Sequence, residues 1–171
     1  MKKRYAYSGT HGVGKSTAAM DRGVILKKVA QEKSVHILAD QEALCPFSIN
    51  KDTTPESQLW IFTNQIRQEL IMSSRFDILV LDRTIVDVIA YTKAAGFDSL
   101  AQGMMAVAEN YVGVYSTINV RLIKNNPFCF NDGIREASDL KFRHSVEDIL
   151  LGLYSYLTLG GYIADGVVSY G

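Results

Sequence analysis

The chain has 171 residues, 47% of them apolar, and equal numbers of acidic and basic side chains. This length and composition predict one globular domain spanning residues 1–171, and the zero net charge argues against a broad electrostatic attraction to nucleic acid or to a membrane. No apolar run reaches membrane-spanning length, the three histidines lack metal-ligand spacing, and two distant cysteines indicate reduced thiols in a cytoplasmic protein.

The first predicted strand, residues 4–8, leads into a glycine-rich segment that fits the pattern G-x-x-x-x-G-K-S/T at every fixed position. We call residues 9–17 the phosphate loop. Its glycines let backbone N–H groups turn toward a polyphosphate, and the helix predicted over residues 17–32 adds the positive end of its dipole. Lys15 is expected to reach the outer phosphates of ATP, and the Ser16 hydroxyl suits Mg²⁺. His11 occupies a variable position and is predicted to be a spectator. The predicted nucleotide-binding residues are Gly9, Gly12, Val13, Gly14, Lys15, Ser16 and Thr17.

A second short strand, residues 35–39, ends at Asp40. Asp40 is a candidate general base for an acceptor hydroxyl, with Glu42 as its substitute, and a solvated or helix-capping acid is the alternative interpretation. We expect the region around residues 40–75 to bind the acceptor.

A helix is predicted to begin with Thr54 as its cap and Pro55 at its first position. Gln65 on this helix offers a donor and an acceptor to the edge of a planar base, or else lies at the surface. The spacing of apolar residues predicts a buried face formed by Leu59, Phe62, Ile66 and Leu70.

A third strand, residues 77–82, is continuously apolar and closes with Asp82, which is typical of a strand buried inside a parallel sheet. An acid at this place can order Mg²⁺ beside Ser16, although it can also cap the next helix. Arg83 is predicted to hold a phosphate or a substrate hydroxyl with its planar fork. Asp87 and Tyr91 share its helix face, so they either line the acceptor pocket or support Arg83.

The rest of the chain continues the alternation of helix and strand. Helices are predicted over residues 84–95, 99–111 and 140–157, a fourth strand over residues 117–123, and a terminal strand within residues 162–169. This order is the signature of a doubly wound α/β sheet whose strand ends meet beside the phosphate loop. Residues 126–145 are predicted to form a lid in which Arg135 balances charge on the transferred group, and Arg143 is a second candidate for binding the substrate.

Three segments together resemble the P-loop kinases of nucleosides and nucleotides: the phosphate loop, residues 81–84 and residues 131–135. The chain looks most similar to the group with an AAA-type kinase-like domain, which includes phage deoxynucleotide kinases, thymidylate kinase and ribosylnicotinamide kinases. The resemblance implies a three-layer α/β/α fold with a five-stranded parallel sheet in the order 2-3-1-4-5, ATP as the donor, and Mg²⁺. It also implies a nucleoside or nucleoside monophosphate as acceptor.

Two other functions stay open at this point. A nucleotide-dependent switch would hydrolyse the triphosphate without an acceptor, although residues 50–53 lack the final Asp of the guanine-recognition motif. A kinase of a base or strand end in DNA would need a local basic surface, for which Lys2, Lys3, Arg4, Lys27, Lys28 and Lys33 are the candidates. Exposed aromatic side chains on the helices are compatible with a homodimer.

Overall fold

The computed structural model describes residues 2–39, 41–125 and 140–171. These residues form a five-stranded sheet in which every pairing is parallel and the order is β2-β3-β1-β4-β5, as the resemblance to P-loop kinases implied. The strands are β1 (Lys3–Ser8), β2 (Val35–Leu38), β3 (Ile78–Asp82), β4 (Thr117–Val120) and β5 (Val168–Tyr170).

Helices cover both faces of the sheet, which gives the predicted three layers. The helices are α1 (Lys15–Val29), α2 (Pro55–Arg75), α3 (Ile85–Ala94), α4 (Asp98–Tyr111) and α5 (Leu140–Leu159). Successive side chains of a strand point to opposite faces. Accordingly Ile78 and Val80 pack with α1, whereas Leu79 and Leu81 belong to the larger core that α2 to α5 share.

Strand β3 occupies the interior of the sheet and all five of its residues are buried. Its register aligns Tyr7 of β1 with Asp82. Because β1 and β3 run in the same direction, the phosphate loop after β1 and the acid at the end of β3 emerge side by side. The register of one strand pair therefore brings together two motifs that lie more than sixty residues apart.

Helix α2 begins as predicted, because Thr54 and Ser57 form a capping box and Pro55 opens the helix. The predicted apolar face was wrong in part, since Leu59 and Leu70 are 47% and 52% exposed. The side chains that α2 buries are Ser57, Gln58, Ile61, Phe62, Gln65 and Glu69. The buried stripe is offset because its polar members find hydrogen-bond partners inside the protein.

Two predicted boundaries also differ. Strand β4 ends at Val120, and the end of the predicted strand instead enters a short 3₁₀ helix, Ile123–Asn125. The terminal strand is confined to Val168–Tyr170. Within the parts of the chain that the structure describes, no helix is both long enough and apolar enough to cross a membrane.

Candidate active site

The phosphate loop adopts an open turn that depends on its glycines. Gly9, Gly12 and Gly14 have φ angles of 141°, 74° and 77°, in the region that residues with a Cβ rarely adopt. A Cβ at Gly9 would also lie 2.5 Å from the backbone oxygen of Arg121. Helix α1 starts at Lys15, directly after the loop, so its N-terminal N–H groups and its dipole point toward the loop.

Asp87 anchors the first part of the loop. Its Oδ1 accepts a hydrogen bond from the Gly9 N–H at 2.8 Å, and its Oδ2 accepts one from Ser8 Oγ at 2.9 Å. The same Oδ2 accepts from the N–H and the hydroxyl of Thr84, which caps α3. The sequence predicted Asp87 as a substrate-binding residue. In the structure both carboxylate oxygens accept hydrogen bonds from the protein itself, which favours a supporting role for Asp87, and contact with a substrate stays a prediction.

Ser16 and Asp82 meet at the base of the loop. Ser16 Oγ donates a hydrogen bond to Asp82 Oδ2. Asp82 Oδ1 is buried and has no hydrogen-bond partner among the described residues, and a buried carboxylate oxygen without a partner is costly unless a cation or donor binds it. One hydroxyl and one carboxylate are hard oxygen ligands of the kind that Mg²⁺ takes together with phosphate oxygens. These two residues therefore fit the predicted metal site.

Lys15 lies within the turn of the loop rather than in solvent. Its side chain is buried, and Nζ donates a hydrogen bond of 2.7 Å to the backbone oxygen of Thr10. The amine is thus held inside the curve formed by residues 10–15, which is the space that a polyphosphate would enter.

Arg83 follows Asp82 and has an unusual backbone conformation. Its φ angle is 119°, which costs a non-glycine residue on the order of 1–3 kcal/mol. The side chain is buried, and its Nη2 lies 3.1 Å from Oε1 of the buried Glu42. Nε of Arg83 has no hydrogen-bond partner within the described part of the chain. The guanidinium therefore keeps one donor for a ligand beside a carboxylate, which is an arrangement suited to binding a hydroxyl or a phosphate.

Arg143 reaches the loop from α5. It is 1% exposed, and its Nε donates a hydrogen bond of 3.1 Å to the backbone oxygen of His11. Its Nη2 is buried without a partner among the residues that the structure describes. The predicted substrate-binding residue therefore lies beside the phosphate loop, and one of its donors is not used by any described residue.

His11 was predicted to be a spectator in the chemistry, and that stays a prediction, but the side chain has a structural place beside the loop. Its side chain is buried, its Nδ1 lies 2.9 Å from the Tyr91 hydroxyl, and its ring packs near Phe142. No sequence signal revealed these contacts, because Tyr91 and Phe142 come from distant parts of the chain.

Gln65 lies in a buried polar cluster between α2 and β1. Its Nε2 donates a hydrogen bond of 2.8 Å to Oε1 of Glu69. Glu69 is fully buried, where desolvation raises its pKa, and it lies 3.3 Å from Arg4 Nη1 while accepting hydrogen bonds from two tyrosine hydroxyls. The amide donor that was predicted to bind an acceptor base is thus directed to Glu69.

The predicted basic surface for DNA is partly used by the protein itself. Arg4 pairs with Glu69, and Lys2 Nζ donates hydrogen bonds to the backbone oxygens of Ser73 and Ser74 at the end of α2. Two of the six candidate cations therefore already bind groups of the protein itself.

Part of the predicted site lies outside the described residues. Asp40, Arg135 and residues 126–139 of the predicted lid lie outside the described residues, as does Cys129. Of the remainder of the lid, Lys141 is exposed and Arg143 is buried.

The chain matches no model of a known protein family, and no curated protein matches it significantly. Solved structures do match. Thymidylate kinase from Candida albicans has a TM-score of 0.67 and 13% identity, over 99% of this chain and 83% of that one. The chain therefore has the fold of P-loop nucleoside and nucleotide kinases. Thymidylate kinase from Ehrlichia chaffeensis (TM-score 0.63, 16% identity) covers 99% and 87% of the two chains. Deoxyadenosine kinase from M. mycoides with bound dATP (TM-score 0.62, 15% identity) covers 99% and 90%.

Proposed function

We propose that this protein transfers the γ-phosphoryl group of ATP to a nucleoside or a nucleoside monophosphate. The observation that carries the proposal is that a donor-binding group and an acceptor-binding group lie next to each other at the ends of neighbouring strands. Ser16 of the phosphate loop donates a hydrogen bond to Asp82 at the end of β3, and Arg83, the next residue, forms a buried ion pair with Glu42. A donor nucleotide and an acceptor can thus be held close together, and positioning is the main requirement of phosphoryl transfer.

On the donor side, the proposal assigns the triphosphate to the open turn of the loop and the helix dipole of α1. Lys15 would exchange its hydrogen bond with Thr10 for one with a phosphate oxygen. Ser16 and Asp82 would hold Mg²⁺, which neutralises phosphate charge when it is bound.

On the acceptor side, Glu42 is the general base that the contacts favour. It is buried, and its carboxylate is fixed by Arg83. In the proposed step Glu42 takes the proton of an acceptor hydroxyl while the oxygen forms a bond to the γ-phosphorus and the bond to ADP breaks. Arg83 Nε and Arg143 Nη2 supply buried donors for phosphate oxygens.

The names of the structural neighbours support the choice of acceptor. They are kinases of thymidylate and of deoxyadenosine, and one M. mycoides structure holds the products dCMP and dCDP. We extend this acceptor class to the present chain as a proposal, with residues 40–75 contributing the acceptor region. Residues 126–145 are proposed to act as a lid in which Arg135 supplies positive charge to the transferred group.

The proposal is tested by incubating the protein with γ-labelled ATP, Mg²⁺ and a panel of nucleosides, nucleoside monophosphates and oligonucleotides. We expect label to appear in at least one nucleoside or monophosphate, and chelation of Mg²⁺ with EDTA to stop the transfer. Hydrolysis of ATP with no labelled acceptor would instead indicate a switch, and label only in oligonucleotides would indicate a DNA-directed kinase.

Replacing Glu42 tests the base and reports the acceptor class at the same time. With a hydroxyl acceptor, Glu42→Gln is expected to lower kcat by about 10²-fold or more, because the proton loses its acceptor. With a monophosphate acceptor the loss is expected to stay below about 10-fold, since a phosphate with a second pKa of about 6 has little proton to give at neutral pH.

The matched controls are Asp40→Asn at the other candidate base and Glu32→Gln at an exposed acid. Glu32→Gln is expected to keep kcat within about 3-fold of the wild type, because a surface substitution away from the site has little effect. If Glu42 is the base, Asp40→Asn is expected to do the same. If Asp40→Asn shows the large loss and Glu42→Gln does not, the base is Asp40 and the assignment of Glu42 is contradicted.

A further inference from the structure

Tyr91 connects the phosphate loop to the acceptor-side arginine. It lies on α3, eight residues after Arg83, and its two ends contact different parts of the site. The hydroxyl is hydrogen-bonded to the phosphate loop, and the Arg83 guanidinium lies over the face of the ring. We propose that Tyr91 is a positioning residue that sets the distance between the donor phosphates and Arg83. This inference rests on the proposed function, because it concerns how that reaction's two substrates are aligned.

The hydroxyl of Tyr91 holds the loop through its backbone. It accepts a hydrogen bond of 2.8 Å from the His11 N–H and lies 2.9 Å from His11 Nδ1 and 3.4 Å from Thr10 Oγ1. Burial raises the pKa of Tyr91, so the hydroxyl keeps its proton at neutral pH. The first half of the loop is thus fixed by α3 at two amides, Gly9 through Asp87 and His11 through Tyr91. The amides from Gly12 onward follow these fixed points, and they are the ones that approach helix α1 and the proposed triphosphate.

The ring of Tyr91 holds Arg83. The guanidinium carbon lies 5.3 Å from the ring centroid, within the range of a cation–π contact. Phe142 packs against Tyr91 at 6.1 Å between centroids, and the neighbouring Arg143 donates to His11. The position of the Arg83 fork is therefore set by three groups: its strained backbone, Glu42 and the Tyr91 ring.

The two ends of Tyr91 can be separated by mutation. Tyr91→Phe removes the hydroxyl and keeps the ring, whereas Tyr91→Leu removes both. We expect Tyr91→Phe to weaken ATP·Mg²⁺ binding by about 10-fold, since a buried N–H loses its acceptor, with the acceptor KM and kcat within about 2-fold of wild type. Tyr91→Leu is expected to show the same loss for ATP and, in addition, a kcat lowered by about 10²-fold, because Arg83 loses its support.

The measurements are calorimetric titration with ATP·Mg²⁺ in the absence of acceptor, steady-state kinetics for both substrates, and hydrogen exchange of the loop amides. Exchange at His11 is expected to accelerate by about 10-fold in Tyr91→Phe. Tyr156→Phe is the matched control, because Tyr156 is 49% exposed and its hydroxyl donates to Glu109 on α4. It should leave all three measurements at wild-type values.

The outcomes separate this inference from the proposed function. Unchanged ATP affinity and unchanged His11 exchange in Tyr91→Phe would overturn the role of the hydroxyl. A kcat in Tyr91→Leu equal to that in Tyr91→Phe would overturn the role of the ring. If the wild type neither binds ATP nor transfers phosphate, the proposed function fails, and the exchange measurement still decides whether Tyr91 anchors the loop.

Discussion

Lys15→Ala is expected to abolish phosphoryl transfer, with a loss of about 10³-fold in kcat or more, while the protein remains folded. The size follows from the role of a buried cation in neutralising charge that moves between phosphate oxygens. The amine is already held inside the loop by the Thr10 carbonyl. Arg121 and Arg143 also contact the loop, but each is held by a backbone oxygen, of Val13 and of His11, so neither is expected to replace the Lys15 amine.

Stability is expected to change little, because the cost of burying the Lys15 charge offsets the gain from its hydrogen bond to the Thr10 carbonyl. We expect a change in the free energy of unfolding below about 1.5 kcal/mol in Lys15→Ala. Lys15→Met keeps the aliphatic stem and should reproduce the loss of transfer, which separates charge from packing. Lys141→Ala removes an exposed lysine and should transfer phosphate like the wild type. Full transfer by Lys15→Ala in an assay that detects the wild type would refute the assignment of the loop.

The features that the sequence predicted well are those encoded by short, contiguous patterns. The phosphate loop is defined by glycines and a Lys-Ser pair, and β3 by an unbroken apolar run that ends at Asp82. The parallel topology then determines which strand ends meet, so the proximity of Ser16 and Asp82 followed from the fold class alone. The sheet order came from the resemblance to P-loop kinases and was confirmed.

The features that were missed depend on contacts between distant segments. Helix α2 buries Gln65 and Glu69 instead of Leu59 and Leu70, because Arg4 and two tyrosines from elsewhere satisfy the carboxylate. The contact of Tyr91 with His11 joins residues eighty positions apart. Hydrophobic periodicity does not predict such pairings. The positive φ angle of Arg83 could not be predicted either, because the position is not a glycine.

Arg83 also provides the second large effect, since two substitutions that should lower transfer alike are expected to differ in stability. Both Arg83→Ala and Arg83→Gly are expected to lower transfer by about 10³-fold, because each removes the guanidinium that is proposed to bind the acceptor. Arg83→Gly should nevertheless be more stable than Arg83→Ala by about 1 kcal/mol. Alanine keeps the strained φ of 119°, whereas glycine adopts it without a steric cost. The loss of the ion pair with Glu42 affects both variants equally and cancels in the comparison.

The control pair is Arg67→Ala and Arg67→Gly, at an exposed arginine in the interior of α2. There the order should reverse, with alanine more stable by about 1 kcal/mol, because glycine lowers the stability of a helix interior. Denaturant unfolding of the four variants measures both differences, and a transfer assay accompanies each. If alanine is the more stable substitution at both sites, Arg83 is not strained in the folded protein. If Arg83→Gly retains transfer, the side chain has no part in binding the acceptor. The stability difference shows whether the Arg83 backbone is strained, and the transfer assay shows whether its guanidinium is needed. If both expectations hold, the strained backbone is what positions a functional side chain.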